Sequence, residues 1–261
     1  MRLSVVMPAY NEAATVAAAV ARVRSIPVDL ELIVVDDASS DGTQAILQAL
    51  HDEGAIHTLV THPENRGKGA AVRTGIERAT GDLIVIQDAD LEYDPHELPR
   101  LMEPILDGRA DAVFGSRFTG SPRRVMYFWH RVGNGALTLL SNMFTNVNLS
   151  DMETCYKMAW ADLMKSLPLR TERFGIEPEL TARLAQAGAR IYEVPISYSG
   201  RTYEEGKKIG WRDGVAALWH IVRANVFAPA VPRFDGAACA RTRNAQGAIP
   251  QPVRGSATLR S

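Results

Sequence analysis

Short, mainly apolar runs alternate with stretches of helical spacing, and each run stops at a cluster of polar residues. Leu3-Ser-Val-Val-Met7 ends at Pro8, and Asn11-Glu12 can cap an alanine-rich helix over 13–23. Leu30-Glu-Leu-Ile-Val-Val35 stops at Asp36-Asp37, and Asp41-Gly-Thr43 opens a helix through Leu50. A strand at 56–61, a helix at 69–79, and strands at 82–86 and 112–114 continue the pattern. Strands that are apolar on both faces must be covered on both faces. The first half therefore predicts an α/β fold, a Rossmann-like, mainly parallel sheet flanked by helices.

The second half is less regular. Leu137, Leu140, Phe144 and Val147 share one face of a helix over 127–147. Residues 178–187 read as a helix, and 191–198 as a strand that Pro195 makes an edge or a bent one. Trp211, Val215, Leu218, Trp219, Val222 and Val226 form a second apolar stripe. From Pro229 the chain turns to Ala, Pro, Gly, Gln and scattered Arg. The expected organisation is one domain over 1–227, its halves 1–118 and 119–227, and a disordered tail over 228–261.

At 46% hydrophobic the chain can bury a sizeable core, and a formal charge of -1 gives no global pull toward nucleic acid. Charge chemistry must come from local patches. Cys155 and Cys239 have no metal-ligand spacing, which argues for a reducing, cytoplasmic compartment. Neither a signal peptide nor a run of about 18 uninterrupted apolar residues is expected.

In an open parallel sheet, ligands bind beyond the carboxyl ends of the strands. There the polar residues collect: Pro8-Ala-Tyr10-Asn-Glu12, Asp36-Asp37-Ala-Ser-Ser-Asp41, Asp88-Ala-Asp90-Leu-Glu92 and Gly115-Ser-Arg117. The acidic run after the fourth strand is a solvated turn or a cation site. If it stays extended, Asp88, Asp90 and Glu92 point to one side. Oxygen ligands at that spacing suit Mg²⁺ or Mn²⁺. Asp94, just before Pro95, is expected to cap the next helix instead. Asn65-Arg-Gly-Lys68-Gly-Ala-Ala71 is a glycine-rich helix start without the Gly-Lys-Ser/Thr ending of a P-loop.

Taken together, Val6-Met-Pro8-Ala-Tyr10-Asn-Glu12, Asp36-Asp37-Ala-Ser-Ser-Asp41-Gly-Thr43, Asn65-Arg-Gly-Lys68-Gly and Asp88-Ala-Asp90 resemble the family 2 inverting glycosyltransferases of the GT-A fold. Gly115-Ser-Arg117-Phe118, Arg131-Val-Gly-Asn134, Asp151-Met-Glu-Thr-Cys155-Tyr-Lys157 and Phe174-Gly-Ile-Glu177-Pro-Glu179 are similar to the branch that makes dolichyl- and polyprenyl-phosphate sugars. The resemblance covers roughly residues 1–225. It implies that Pro8, Tyr10, Glu12, Asp37 and Lys68 hold the nucleotide. It makes Asp88 and Asp90 the metal motif, with Asp88 also on the nucleotide and Glu92 as a further ligand. Many relatives carry Gln where this chain has Glu92. Arg117, Arg131 and Asn134 would bind acceptor phosphate and diphosphate. Ser199-Gly-Arg201 through Lys207-Lys208 would be a basic acceptor loop, with Arg201 and Lys207 on phosphate. The implied donor is a GDP- or UDP-sugar, the implied acceptor a polyprenyl phosphate, and the outcome inversion.

A phosphate acceptor is already anionic and needs guidance more than a base, a task that suits the arginine fork. A soluble sugar hydroxyl would need a carboxylate base, with Asp151 or Glu153 as candidates. A lipid acceptor also needs an apolar surface. Tyr127-Phe128-Trp129 and both helical stripes fit either the core or a bilayer interface at the inner face of the plasma membrane. A membrane-surface adaptor without turnover is the non-enzymatic alternative. His51, His57, His62, His96 and His220 show no ligand spacing, and Cys155 reads as a small buried side chain.

Overall fold

Seven strands form a sheet in the order β3-β2-β1-β4-β6-β5-β7: β1 (Leu3–Ala9), β2 (Leu30–Asp36), β3 (Thr58–Thr61), β4 (Leu83–Ile86), β5 (Ala112–Ser116), β6 (Lys157–Trp160) and β7 (Ile191–Pro195). The computed structural model describes residues 1–120, 122, 124–173, 175–201 and 211–235, with backbone alone at 211–213 and 215. The helices are α1 (Val16–Arg24), α2 (Thr43–Asp52), α3 (Lys68–Arg78), α4 (Leu98–Leu106), α5 (Phe128–Thr145), α6 (Ala161–Ser166), α7 (Ile176–Gln186) and α8 (Trp211–Val226).

β1 is buried along its whole length and pairs in parallel with β2 on one side and β4 on the other. The register sets Val6 opposite both Ile33 and Ile86. The carboxyl ends of β1, β2 and β4 therefore reach one edge together, and their loops must emerge side by side. The expected parallel sheet is present, with one exception. β6 runs antiparallel between β4 and β5. Its four residues begin with a lysine, which hides the strand from any hydrophobic pattern. Lys157 is buried because its Nζ donates to the carbonyls of Met152 (2.7 Å) and Thr154 (2.6 Å). Pro195 closes β7, the edge strand, as its missing N–H requires.

Two expectations shift. The chain does not leave the body at residue 228. The buried Arg183 guanidinium donates to Pro229 O at 2.9 Å, and Phe234 N–H donates to Ala187 O at 2.8 Å. Val231 and Phe234 pack against the core. Of the expected tail, residues 236–261 lie outside the described residues.

The helical stripes also face differently. On α5 the buried residues are polar, Thr138 and Ser141, while Phe128 is 70% exposed, Trp129 75% and Met143 73%. Of the four apolar residues on the expected face, Phe144 is exposed and the others are half-buried. On α8 the buried side is Ala217, Ile221 and Ala224, and Leu218, Trp219 and Val226 are exposed. Among the described residues no helix is long and apolar enough to cross a membrane.

The end segment yields a prediction. Phe234→Ala should destabilise the protein by about 1–2 kcal/mol, below the range for a fully buried phenylalanine because this ring is only partly covered. Urea unfolding measures it. An unchanged midpoint would return residues 228–235 to a loose end.

Candidate active site

β2 delivers Asp37, which is 3% exposed. Its Oδ1 accepts from Arg66 N–H (3.0 Å) and lies 2.7 Å from His62 Nδ1, while Oδ2 accepts from Gly67 N–H (2.6 Å). The other ring nitrogen of His62 is 3.0 Å from Thr74 Oγ1. Asp37, expected on the nucleotide, thus also grips the glycine-rich turn. Two glycines let the turn form. Gly67 has φ +90°, and a methyl group on Gly69 would collide with the Thr171 carbonyl. Behind the turn, Gly69 N–H and Ala70 N–H donate to the Arg173 and Glu172 carbonyls.

The turn projects Lys68. Its Nζ sits 2.8 Å from Asp88 Oδ1 and 2.8 Å from Glu177 Oε1. Burial disfavours the ammonium, but Asp88 and Glu177 outweigh it and hold Lys68 charged well above its ordinary range. Glu177 is correspondingly held ionised, burial again opposing and Lys68 and Lys157 prevailing. Asp88 lies just past β4 and Glu177 in the first turn of α7, so one ammonium joins the two halves of the site.

The acidic run is a turn and not an extension of the strand. Leu91 takes φ +65°, and Glu92 N–H donates back to Asp90 Oδ1 at 3.2 Å. Asp88 pairs with Lys68, whereas Asp90 and Glu92 both reach Arg201. Asp90 Oδ2 is 3.1 Å from Arg201, whose guanidinium also lies 3.3 Å from Glu12. Glu92 accepts from Tyr198 OH (2.7 Å) and Arg201 N–H (2.8 Å). Burial, then Asp88 and Glu92, push the Asp90 carboxyl up to about 7 against the pull of Arg201. Asp94 caps the 3-10 turn Pro95–Glu97 by accepting from His96 N–H, as expected.

These residues fit a divalent cation. Asp88 and Asp90 are hard oxygen donors one residue apart, and Asp90 carries a charge that its surroundings disfavour until a cation joins it. Among the described residues no three acidic, His or Cys side chains converge as a ready cage. An ion here would take two carboxylates and complete its shell with water and phosphate oxygens, the habit of Mg²⁺.

Facing this turn is a cationic cluster. Arg117, at the end of β5, binds Asp151 through Nε (2.7 Å), Nη2 (2.7 Å) and its backbone N–H (3.0 Å). Asn134 from α5 contacts both partners, at 3.3 Å and 3.4 Å. Burial raises the Asp151 carboxyl, yet the Arg117 charge and hydrogen bonds win and hold it below the usual carboxylate range. The guanidinium carbons of Arg131 and Arg117 stand 4.0 Å and 5.5 Å from the centre of the Phe118 ring. One ring thereby gathers the two arginines. Tyr198 ties this cluster to the acidic turn: its ring lies 5.1 Å from Arg117 Cζ and its hydroxyl reaches Glu92. Below, burial and Glu177 push Glu153 up to about 7, and Glu153 Oε1 makes no hydrogen bond.

The structure therefore brings together Glu12, Lys68, Asp88, Asp90, Glu92, Arg117, Arg131, Asn134 and Arg201. Pro8 is buried at the end of β1, and Tyr10 just beyond is 41% exposed. Lys207 and Lys208 lie outside the described residues. Sequence reasoning gave no role to Glu177, His62 or Tyr198. An acid in the first turn of a helix is a routine match to the helix dipole, so nothing local points Glu177 at Lys68.

A sheet of this order, with an acidic turn after β4 facing basic residues across the strand ends, has the architecture of the GT-A glycosyltransferases. The description of glycosyl transferase family 2 matches residues 4–166, and the chain belongs to that family. It is 32% identical over 247 residues to an undecaprenyl-phosphate mannosyltransferase of Micrococcus luteus, covering 87% of this chain and 99% of the relative. It is 32% identical to a low-salt glycan biosynthesis hexosyltransferase of Haloferax volcanii, covering 80% of this chain and 51% of that one. Among solved structures, glucosyl-3-phosphoglycerate synthase from Mycobacterium tuberculosis, in complex with Mn²⁺, UDP and phosphoglyceric acid, superposes with a TM-score of 0.67 at 23% identity, over 87% of this chain and 79% of that one.

The Arg117–Asp151 pair can be read through pH. A carboxyl depressed in the folded state contributes stability above its unfolded value of about 3.9 and loses it as pH falls further. Asp151→Asn should cost about 3 kcal/mol at neutral pH, since it strands a buried guanidinium. The gap to wild type in urea unfolding should narrow as pH drops below about 4. A gap independent of pH would mean that the charge of Asp151 contributes nothing.

Proposed function

We propose that this glycosyltransferase moves a sugar from a GDP-mannose- or UDP-glucose-type donor to a polyprenyl phosphate, with Mg²⁺ or Mn²⁺ held by Asp88 and Asp90. The observation that carries the reading is the pairing of the acidic turn with two arginines on one aromatic ring. The turn suits a diphosphate-bound cation, and the arginines suit a second, separate phosphate. The likeness to an undecaprenyl-phosphate mannosyltransferase over nearly its full length supports the acceptor class.

Asp88 and Asp90 would hold the divalent cation, which would supply Lewis-acid stabilisation of the departing diphosphate. The chain's own residues do the rest. Lys68 fixes Asp88 and adds a permanent positive charge beside it. Arg201 contributes a second cation near Asp90. Arg117, locked by Asp151, cannot swing away, and Arg131 closes the same pocket from α5. Together they orient an acceptor oxygen that is already anionic, so no proton needs removal. Asp151 is unsuited to that removal in any case, because Arg117 engages both of its oxygens. A soluble hydroxyl acceptor is the second reading, favoured by Glu153 with its carboxyl near 7 and one oxygen unbonded. That reading expects activity without lipid and its loss in Glu153→Gln.

The apolar faces of α5 and α8 support a peripheral position on a bilayer. Phe128, Trp129 and Met143 of α5 and Trp219 of α8 are exposed, and exposed Arg124, four residues before α5, can meet anionic headgroups. The proposed location is the cytoplasmic face of the plasma membrane.

Labelled nucleotide-sugars, Mn²⁺ or Mg²⁺ and polyprenyl phosphate should give a glycolipid, and EDTA should abolish it. Arg131→Gln should raise the acceptor KM by about tenfold or more and leave the donor KM nearly unchanged, as loss of one charged contact predicts. No lipid-linked product with any donor would overturn the proposal. For the membrane, Trp129→Ser should weaken sedimentation with anionic vesicles by roughly tenfold, given about 1.5–3 kcal/mol for an inserted large apolar side chain. Its melting temperature should stay unchanged, because the ring is exposed in the fold. Unchanged vesicle binding would place the bilayer elsewhere.

A further inference from the structure

Where α7 and α8 meet the chain at 228–229 there is a cavity of about 60 Å³. Arg170, Arg183, His220 and Arg223 line it, with Glu179 and Phe227. None of them belongs to the proposed donor or acceptor site. Three guanidinium groups thus meet one carboxylate, and that carboxylate is already engaged. Glu179 accepts from Arg170 N–H at 3.1 and 3.0 Å and from Thr171 N–H at 2.7 Å. Arg183 Nη2 stands 4.0 Å from it, beyond hydrogen-bond reach. Two donors in this wall are idle. Arg183 is 1% exposed and its Nη1 donates to Gln186 Oε1 and Pro229 O, at 2.9 Å each, but its Nε makes no hydrogen bond among the described residues. His220 Nδ1 is buried and likewise unbonded. The His220 ring is set in place by shape, since it lies so close to Gly175 at the head of α7 that a methyl group there would collide with it.

We infer that this cavity binds a phosphate-class oxyanion, free or as the headgroup of an anionic lipid, held by Arg183 and His220 within and by the exposed Arg170 and Arg223 at the mouth. The donor set is right for it, because guanidinium forks match phosphate oxygens and a buried N–H without an acceptor costs free energy that an acceptor recovers. Charge agrees. Burial lowers the Arg183 guanidinium from its ordinary value, with Glu179 opposing and Arg170 adding to the effect. Burial and then Arg223 lower His220 against the pull of Glu179, so near neutrality the ring serves as a neutral N–H donor. Size limits the ligand. With about 30 Å³ as the share of one liquid water, the cavity takes a single phosphate group and no nucleotide. Whatever the phosphate carries must project outward, past Phe227, which is exposed and whose ring centre lies 6.3 Å from that of exposed Trp219. The site is also close to the catalytic half in sequence and in bonding. Arg170 opens the segment 170–173, and the carbonyls of Glu172 and Arg173 accept from Ala70 N–H and Gly69 N–H of the glycine-rich turn.

Proton–nitrogen NMR of the full chain carrying isotope-labelled histidine reads the site directly, with the His220 ring signal assigned by its loss in His220→Gln. Inorganic phosphate at fixed pH should shift that signal to saturation, and sodium chloride at equal ionic strength should not. The double variant Arg170→Gln/Arg223→Gln should bind phosphate about tenfold or more weakly, as loss of two charged hydrogen bonds implies. Both positions are exposed, so its melting temperature should match wild type. Arg131→Gln should titrate like wild type, because that arginine belongs to the acceptor side. Sedimentation with phosphatidylcholine vesicles, with and without phosphatidic acid, then separates the two sources of phosphate. Loss of the phosphatidic acid-dependent binding in the double variant assigns the site to a lipid headgroup, and unchanged binding assigns it to a free phosphate. No saturable shift of the His220 signal would overturn the site and leave a cavity filled by water. A shift undiminished in the double variant, or abolished in Arg131→Gln, would overturn it as well.

Discussion

One ammonium group holds this site together. Lys68 lies between Asp88 of the acidic turn and Glu177 of α7, 2.8 Å from each. In a largely buried position two carboxylates would repel, and an unpaired lysine would lose its proton. The three groups are tolerable only as a set. Each also belongs to a different element: the glycine-rich turn, the exit of β4 and the start of α7. The shared charge therefore locks elements far apart in sequence, and Asp88 is presented at a fixed place. Asp37 extends the lock, since it grips the backbone N–H groups of Arg66 and Gly67 just before Lys68.

The same logic runs across the site. Arg117 and Asp151 form a bidentate pair that α5 joins through Asn134. Arg201 sits among Glu12, Asp90 and Glu92. Each cation is matched to acids on other elements, so charge is balanced locally while the chain as a whole stays near neutral. Asp90 is the point of least balance. It has one cation nearby and two acidic neighbours, and its carboxyl responds by rising to about 7. A group in that condition gains most from an added divalent ion, which is how a site can be firm in structure and still open in charge.

Much of this was legible in the sequence because it follows from periodicity and strand ends. The parallel strands read as apolar runs, and the polar clusters past them mark the edge where the site forms. Pairings between distant elements were not legible. Nothing in Glu177-Pro-Glu179 indicates which acid meets Lys68, and nothing in Lys157-Met-Ala-Trp160 announces a central antiparallel strand. Both depend on partners supplied by folding: an ammonium for Glu177, and two carbonyls for Lys157. The shape of the acidic run was not legible for a local reason. Alternation predicts one side only if the backbone stays extended, and a positive φ at Leu91 ends that extension before Glu92.

α5 shows what a helical stripe leaves undecided. Period alone says that apolar residues share a face and leaves open which medium covers it. Here the inward face is made of Thr138 and Ser141, and Thr138 Oγ1 accepts from Met152 N–H at 3.2 Å. Small polar residues let α5 lie close over the loop that carries Asp151, which brings Asn134 and Arg131 to Arg117 and Phe118. Larger apolar side chains on that face would lift the helix and part the arginines. The apolar residues Phe128, Trp129 and Met143 are displaced outward as a result, onto the exposed surface. Site geometry and the exposed apolar face are thus two consequences of one choice of residues on α5. An acceptor whose phosphate enters between the arginines and whose chain lies along the outer face would use both.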